Sequence, residues 1–343
     1  MLLLDHETVR KALPVRAAVP LMAEAMRRYS AGLFTQPLRQ VLRPPAESAM
    51  FAVMPAHIAP PAGAEDFDPR YAALGGFGLK AIMFKPDNPA KGRHAHTGAV
   101  FLFDPETGAL AAILDAAALT AVRTAAVSAV ATRELARPEA GDLAVLGAGV
   151  QARSHLEAMA EVRTLRRVRV WNRTRARADA YAAWAAGIVP VPVEVCDSPS
   201  AALAGADLVC TTTSSAQPFV AAADLAAGAH VNAVGASVRS ARELHAAAVA
   251  RCAVFVDSRE SAAAESGDLL VPLQEGLTGP DHVRAELGEV LLGRAPGRRD
   301  PDEITLYKSL GMAGQDVTAG FAVLRAAAEH GLGRTIDGLG GER

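Results

Sequence analysis

Lys80 stands inside the alternating strand pattern Gly78-Leu-Lys-Ala-Ile-Met-Phe84, and Arg123 interrupts the apolar helical run Leu119-Thr-Ala-Val-Arg-Thr-Ala-Ala-Val127. A cation on an apolar element is costly unless it faces a pocket or meets a carboxylate. Its aliphatic stem also allows it to snorkel to water, and composition alone leaves both readings open. With Arg39, these two residues are candidates for gripping a small anionic substrate. His94 and His96 are spaced like a metal pair, but no third ligand is placed to help them, so a polar loop is the competing reading.

A second kind of chemistry is written in Asp142-Leu-Ala-Val-Leu-Gly147-Ala-Gly149-Val-Gln-Ala152. A short apolar strand runs into Gly-x-Gly-x-x-Ala and then into a helical pattern. Gly147 permits the tight turn, Gly149 lets a pyrophosphate approach the backbone, and Ala152 lets the helix pack close to the sheet. The free N–H groups and dipole of that helix face the phosphates. The next strand ends 23 residues beyond Gly149, at Trp171-Asn172-Arg173-Thr174-Arg175. A carboxylate there would bind a ribose 2′-hydroxyl and select NAD. Asn172, Arg173 and Thr174 instead suit a 2′-phosphate, so NADP(H) is the expected cofactor, with NAD(H) as the other option. The bland alternative is a solvated helix start with Thr174 as its N-cap.

These groups need two kinds of scaffold. The N-terminal third reads as a helix over 15–29 and strands over 40–43, 50–54, 78–84, 98–103 and 110–115, followed by a helix over 118–135. From 143 onward strand and helix alternate, with strands expected over 143–146, 168–172, 191–195, 208–212, 230–234 and 254–256. Pro192 makes the third suited only to an edge or a strand start. This alternation implies a parallel sheet with right-handed crossovers. A last strand over 304–308 precedes a helix over 315–329, which returns to the first domain. A chain of 343 residues accommodates about two domains. The fold class is therefore α/β: a Rossmann-type NAD(P)-binding domain over 125–311, and an α+β substrate-binding and dimerisation domain over 1–124 and 312–343. A cleft between them is the expected site.

Composition narrows the partners. A net charge of −2 and 5% aromatic residues give no basic or base-stacking bias, so nucleic acid is not expected. No apolar run approaches the ~20 residues of a membrane span. The amino-terminal residues lack the pattern of a signal peptide. Cys196, Cys210 and Cys252 are odd in number and far apart, as reduced core residues of a cytoplasmic protein would be.

The ordered set Met54-Pro-Ala, Gly78-Leu-Lys80, Leu119-Thr-Ala-Val-Arg123-Thr-Ala-Ala, Leu146-Gly-Ala-Gly-Val-Gln-Ala152, Trp171-Asn-Arg-Thr174, His230-Val-Asn-Ala-Val-Gly-Ala-Ser237, Arg242-Glu-Leu244 and Lys308-Ser-Leu-Gly311 resembles the ornithine cyclodeaminase/mu-crystallin family over nearly the whole chain. The resemblance implies that Arg39 and Arg123 grip the α-carboxylate of an amino or imino acid, with Lys80 beside the reacting nitrogen. It implies cofactor contacts at Thr124, Gly147, Gly149, Val150, Gln151, Ala152, Asn172, Arg173, Thr174, Thr212, Val234, Gly235, Ala236 and Ser237, and a homodimer formed through the first domain. One position departs from the cyclodeaminases. Their catalytic aspartate is here Ser237, and a serine cannot replace a carboxylate as general base at neutral pH. The resemblance thus points to the mu-crystallin and imine-reductase branch. The expected reaction is NAD(P)H-dependent reduction of an α-imino acid, either a cyclic ketimine such as Δ1-pyrroline-2-carboxylate or Δ1-piperideine-2-carboxylate, or an acyclic imine such as iminosuccinate. The alternatives are an ornithine cyclodeaminase-type lyase and a protein that binds NADPH or a small ligand with little turnover.

Overall fold

The computed structural model describes residues 1–61, 66–93 and 95–337, so His94 lies outside the described residues. The chain divides into two compact units, Met1–Arg123 with Met312–Arg343, and Thr124–Gly311.

The first unit opens with β1 (Leu2–Leu4), α1 (His6–Ala12) and α2 (Val15–Ser30), then β2 (Phe34–Thr35), β3 (Gln40–Leu42), β4 (Met50–Ile58), β5 (Gly76–Phe84), β6 (His96–Phe103) and β7 (Leu110–Asp115). Helix α3 (Ala116–Leu135) follows. The second unit contains β8 (Asp142–Leu146), α4 (Val150–Val162), β9 (Arg167–Trp171), α5 (Arg175–Ala185), β10 (Val193–Val195), α6 (Pro199–Leu203), β11 (Leu208–Thr211) and β12 (His230–Ala233). It continues through α7 (Ala246–Ala250), β13 (Cys252–Val256), α8 (Arg259–Glu265), α9 (Gly267–Gln274), β14 (Val283–Glu286), α10 (Leu287–Leu291) and β15 (Ile304–Lys308). Helix α11 (Ala313–His330) and β16 (Arg334–Thr335) return to the first unit.

The first unit is built on a sheet of order β16-β1-β7-β6-β5-β4-β2, with β3 also paired to β4. Its hairpins are antiparallel, and only β1 joins β7 in parallel. Pairing places Met54, Lys80, Val100, Leu114 and Leu4 in one row across five strands. All five are buried. Helix α11 packs over this face on β4, β5 and β6, and α2 packs against α11. Strand β4 runs four residues past the expected end, through Pro55. Its outer neighbours pair with Phe51–Val53 on one side of Pro55 and with His57–Ile58 on the other. The missing N–H therefore falls in the gap between β3 and β2, where no bond is lost.

The second unit is an eight-stranded sheet of order β10-β9-β8-β11-β12-β15-β13-β14, parallel throughout. Strands β8, β11 and β13 carry near-continuous apolar runs, as strands covered on both faces require. Leu146, Val209, Val231, Val254 and Leu306 form the centre of one core. Sequence-adjacent β8 and β9 are neighbours, but β11 lies on the far side of β8, so the chain reverses its winding between β8 and β11. Such a switch point is where open α/β sheets bind nucleotides. The strand containing Pro192 shrinks to β10 at the sheet edge, and the Pro192 carbonyl accepts from Val168 N–H at 2.9 Å. No described helix is long and apolar enough to cross a membrane.

Candidate functional site

The first unit gathers two of the three basic candidates on one carboxylate. Lys80 points from β5 to the face beneath α11 and is 2% exposed; Arg123, near the middle of α3, is 4% exposed. Neither snorkels. Asp316, in the first turn of α11, lies between them. Lys80 Nζ is 2.5 Å from Asp316 Oδ2, and Arg123 Nε donates to Asp316 Oδ1 at 2.9 Å. Arg123 Nη1 donates to Gln315 Oε1 at 2.8 Å, and Gln315 in turn reaches Met26 Sδ. The sequence signal that could have found Asp316 is an acid beside a glutamine at the start of an otherwise apolar helix.

The surroundings of Lys80 shift its proton affinity. Burial pushes its ammonium down to about 8, Asp316 pulls upward, and the charges of Arg123 and Arg39 press it down again. Burial alone would raise the Asp316 carboxyl, but Arg123 and Lys80 hold it below the usual carboxylate range. Arg39 lies half-buried between β2 and β3. Lys80 and Arg123 share the single Asp316 carboxylate, so this trio carries net positive charge. His96 is on the same face of the sheet at its exposed end, its ring tilted against that of Phe84 with centroids 4.7 Å apart.

The second unit collects most of its candidates at one edge of the parallel sheet. Gly147, Asn172, Thr212 and Val234 each lie immediately beyond the carboxyl end of β8, β9, β11 or β12. Gly147 has φ +118°, and a Cβ there would meet Thr212 Oγ1 at 2.7 Å. Its N–H donates to Trp171 O at 2.8 Å, which carries the β8–β9 ladder one residue past the strand end. Gly149 is the N-cap residue of α4 with no side-chain cap, and a Cβ placed on it would meet nothing within 4 Å. An uncapped helix start over open space is what a pyrophosphate requires. Ala152 is fully buried, and Tyr181 Oη donates to its carbonyl at 3.2 Å, holding α4 tightly. Val150 is exposed, Gln151 half-buried and Thr124 buried.

At the end of β9, Thr174 occupies the N-cap position of α5 but makes no side-chain capping bond. Asn172 Nδ2 donates to the Thr174 carbonyl at 3.0 Å. Arg175 is engaged by Asp179 and Asp197. Arg173 is exposed and forms no ion pair among the described residues. Ser237 is half-buried in the loop after β12, beyond Gly235 and Ala236. A cleft of about 620 Å³ opens at the opposite edge of this sheet, beside Cys252 and Ile304. Arg284, which lines it, is already paired with Glu303 at 2.5 Å.

The whole arrangement has clear relatives. A model of the ornithine cyclodeaminase/mu-crystallin family matches residues 1–330. The Δ1-pyrroline-2-carboxylate reductase of Bacillus cereus is 34% identical over 338 residues, covering 98% of this chain and 100% of the relative. The ketimine reductase mu-crystallin of Mus musculus is 38% identical over 304 residues, covering 88% of this chain and 89% of the relative. Among solved structures, that of Thermococcus litoralis Δ1-pyrroline-2-carboxylate reductase in complex with NADH and L-proline superposes with a TM-score of 0.92 at 30% identity, covering 98% of this chain and 100% of the other.

Proposed function

Because the chain belongs to the ornithine cyclodeaminase/mu-crystallin family, we propose that it is an NAD(P)H-dependent reductase of α-imino acids, giving L-amino acids. The observation that carries this reading is the buried lysine, pushed down to about 8, sharing the Asp316 carboxylate with Arg123. Arg123 and Arg39 take the substrate carboxylate, and Lys80 gives a proton to the imine nitrogen. Asp316 keeps Lys80 charged until the proton is passed. A bound nicotinamide supplies the hydride that reduces the C=N carbon. The balance is imino acid plus NAD(P)H plus one proton, giving amino acid plus NAD(P)⁺.

The dinucleotide is assigned to the second unit. Gly147, Gly149, Val150, Gln151 and Ala152 hold the pyrophosphate, Asn172, Arg173 and Thr174 the adenosine ribose, and Thr124, Thr212 and Val234–Ser237 the remainder. NADP(H) is preferred because no acid stands at the end of β9 and Arg173 is uncommitted to any described carboxylate. The protein acts in the cytoplasm, as its unpaired cysteines suit. It is a homodimer: the uncovered face of the first sheet carries Pro55, Leu79, Phe101 and Ile113 in a row, none of them buried. An apolar stripe of this kind calls for a partner.

The test follows NADPH and NADH oxidation with Δ1-pyrroline-2-carboxylate, Δ1-piperideine-2-carboxylate and iminosuccinate, beside ammonia release from L-ornithine. Cofactor oxidation with at least one imino acid, faster with NADPH, and no ammonia from ornithine is expected. Ammonia release with proline formed and no net cofactor consumed would overturn the reductase reading.

A further inference from the structure

Two sequence motifs, Arg242-Glu-Leu244 and Lys308-Ser-Leu-Gly311, lie outside the residues assigned so far. Glu243 and Lys308 are both fully buried in the second unit, as is Asp268. Glu243 Oε1 accepts from Thr213 N at 2.7 Å and from Thr213 Oγ1 at 2.6 Å. Its Oε2 accepts from Thr211 Oγ1 at 2.7 Å and from Gly235 N at 2.8 Å. One carboxylate thus ties the segment after β11 to the segment after β12. Lys308, the last residue of β15, donates to the Ala236 carbonyl at 2.5 Å and to Asp268 Oδ2 at 2.9 Å. Asp268 Oδ1 closes the chain by accepting from Glu243 N at 2.9 Å and Leu244 N at 3.0 Å. The contact is so close that a Cβ on Gly235 would lie 2.0 Å from the Thr213 carbonyl and 2.5 Å from Glu243 Oε1.

Buried charges are tolerated only when their bonding capacity is filled. Each of these partners of the two carboxylates is a donor, and Thr213 N and Gly235 N are backbone groups of loops at the carboxyl edge of the sheet. In a doubly wound sheet one mononucleotide lies over the first three strands and the other over the second set. The first set here is β8, β9 and β10. The tied loops follow β11 and β12, in the second set.

We propose that Glu243, Asp268 and Lys308 are positioning residues for the nicotinamide half of the dinucleotide, fixing the loops Thr211–Thr213 and Val234–Ser237 in a preformed shape. This rests on the cofactor assignment above. None of the three touches the cofactor; they act through backbone groups that do. A loop ordered in advance spares the binding step the cost of ordering it. The adenosine half, over β8 and β9, should not sense them.

That asymmetry is the test. Full-length wild type, Glu243→Gln and the milder Thr213→Val are titrated with NADPH and with 2′,5′-ADP, which carries only the adenosine half. The glutamine substitution turns an amide N–H toward donors, and the valine substitution removes one hydroxyl. The NADPH Kd should rise about tenfold or more in the first and about threefold in the second, the range of a lost hydrogen bond. The 2′,5′-ADP Kd should stay within about twofold, as for a site with no shared partners. In turnover the KM for NADPH should rise while the KM for the imino acid, measured at saturating cofactor, holds. Unchanged NADPH affinity in both variants, or equal losses for both ligands, would overturn the proposal. A wild type that binds neither ligand would instead remove the cofactor assignment, and this inference with it.

Discussion

In the proposed reaction Lys80 has to be an acid in one direction and a base in the other. Its ammonium, pushed down to about 8 chiefly by burial, serves both near neutrality. Reduction uses the charged form, which persists below that value and is lost as pH rises through it. We therefore expect kcat/KM for imine reduction to be level up to about pH 8 and to fall above it, the reverse reaction rising over the same range. Asp316 raises the lysine, so Asp316→Asn should move the limb to lower pH, measured as kcat/KM against pH. A limb unmoved by that change would sink the pairing as the source of the tuning. The strand lysine and helix arginine were legible in the sequence because each breaks an apolar pattern. Their shared carboxylate was not. Asp316 lies 193 positions from Arg123, and an acid in the first turn of a helix already has a local explanation in the helix dipole.

At the scale of elements, the strand-turn-helix around Gly147 was legible because its glycines have separate physical jobs. They should respond differently to substitution. Gly149 is extended, with open space where a Cβ would go. Gly149→Ala should change stability by no more than about 0.5 kcal/mol, as at an unconstrained position. Yet it should weaken NADPH binding by about 1.4 kcal/mol or more, a factor of ten. Gly147→Ala should instead destabilise the fold by about 1–3 kcal/mol, through its positive φ and the Thr212 contact. Thermal melts with and without cofactor separate the two, and equal effects would mean that the space above Gly149 is not the cofactor's. Strand order was less legible. The periodicity finds β15 as a strand, but nothing local says that it inserts between β12 and β13. That placement buries all five residues of β15, and Lys308 at its end reaches Asp268.

For the whole molecule, the division into two units has unequal surfaces. The central strands of the second sheet are buried on both faces; the first sheet leaves the Pro55-Leu79-Phe101-Ile113 row only half-buried. If that row is the dimer contact, Phe101→Glu should give a monomer by light scattering, at concentrations where the wild type is a dimer. A wild type that is monomeric throughout would remove the assignment. In the sequence, Leu79, Phe101 and Ile113 are visible only as the second half of alternating strands. Alternation distinguishes the two faces but cannot say which one a helix will cover.

The first unit is also interrupted: its chain leaves at Arg123 and resumes at Met312. During synthesis Lys80 and Arg123 therefore emerge before their counter-ion Asp316, with the whole parallel sheet made in between. Until α11 arrives, the inner face of the first sheet has no lid, and two cations have no acid to justify their burial. The inner face of the first unit therefore cannot take its final form until the parallel sheet has been made, and α11 brings both the cover of that face and the acid between Lys80 and Arg123.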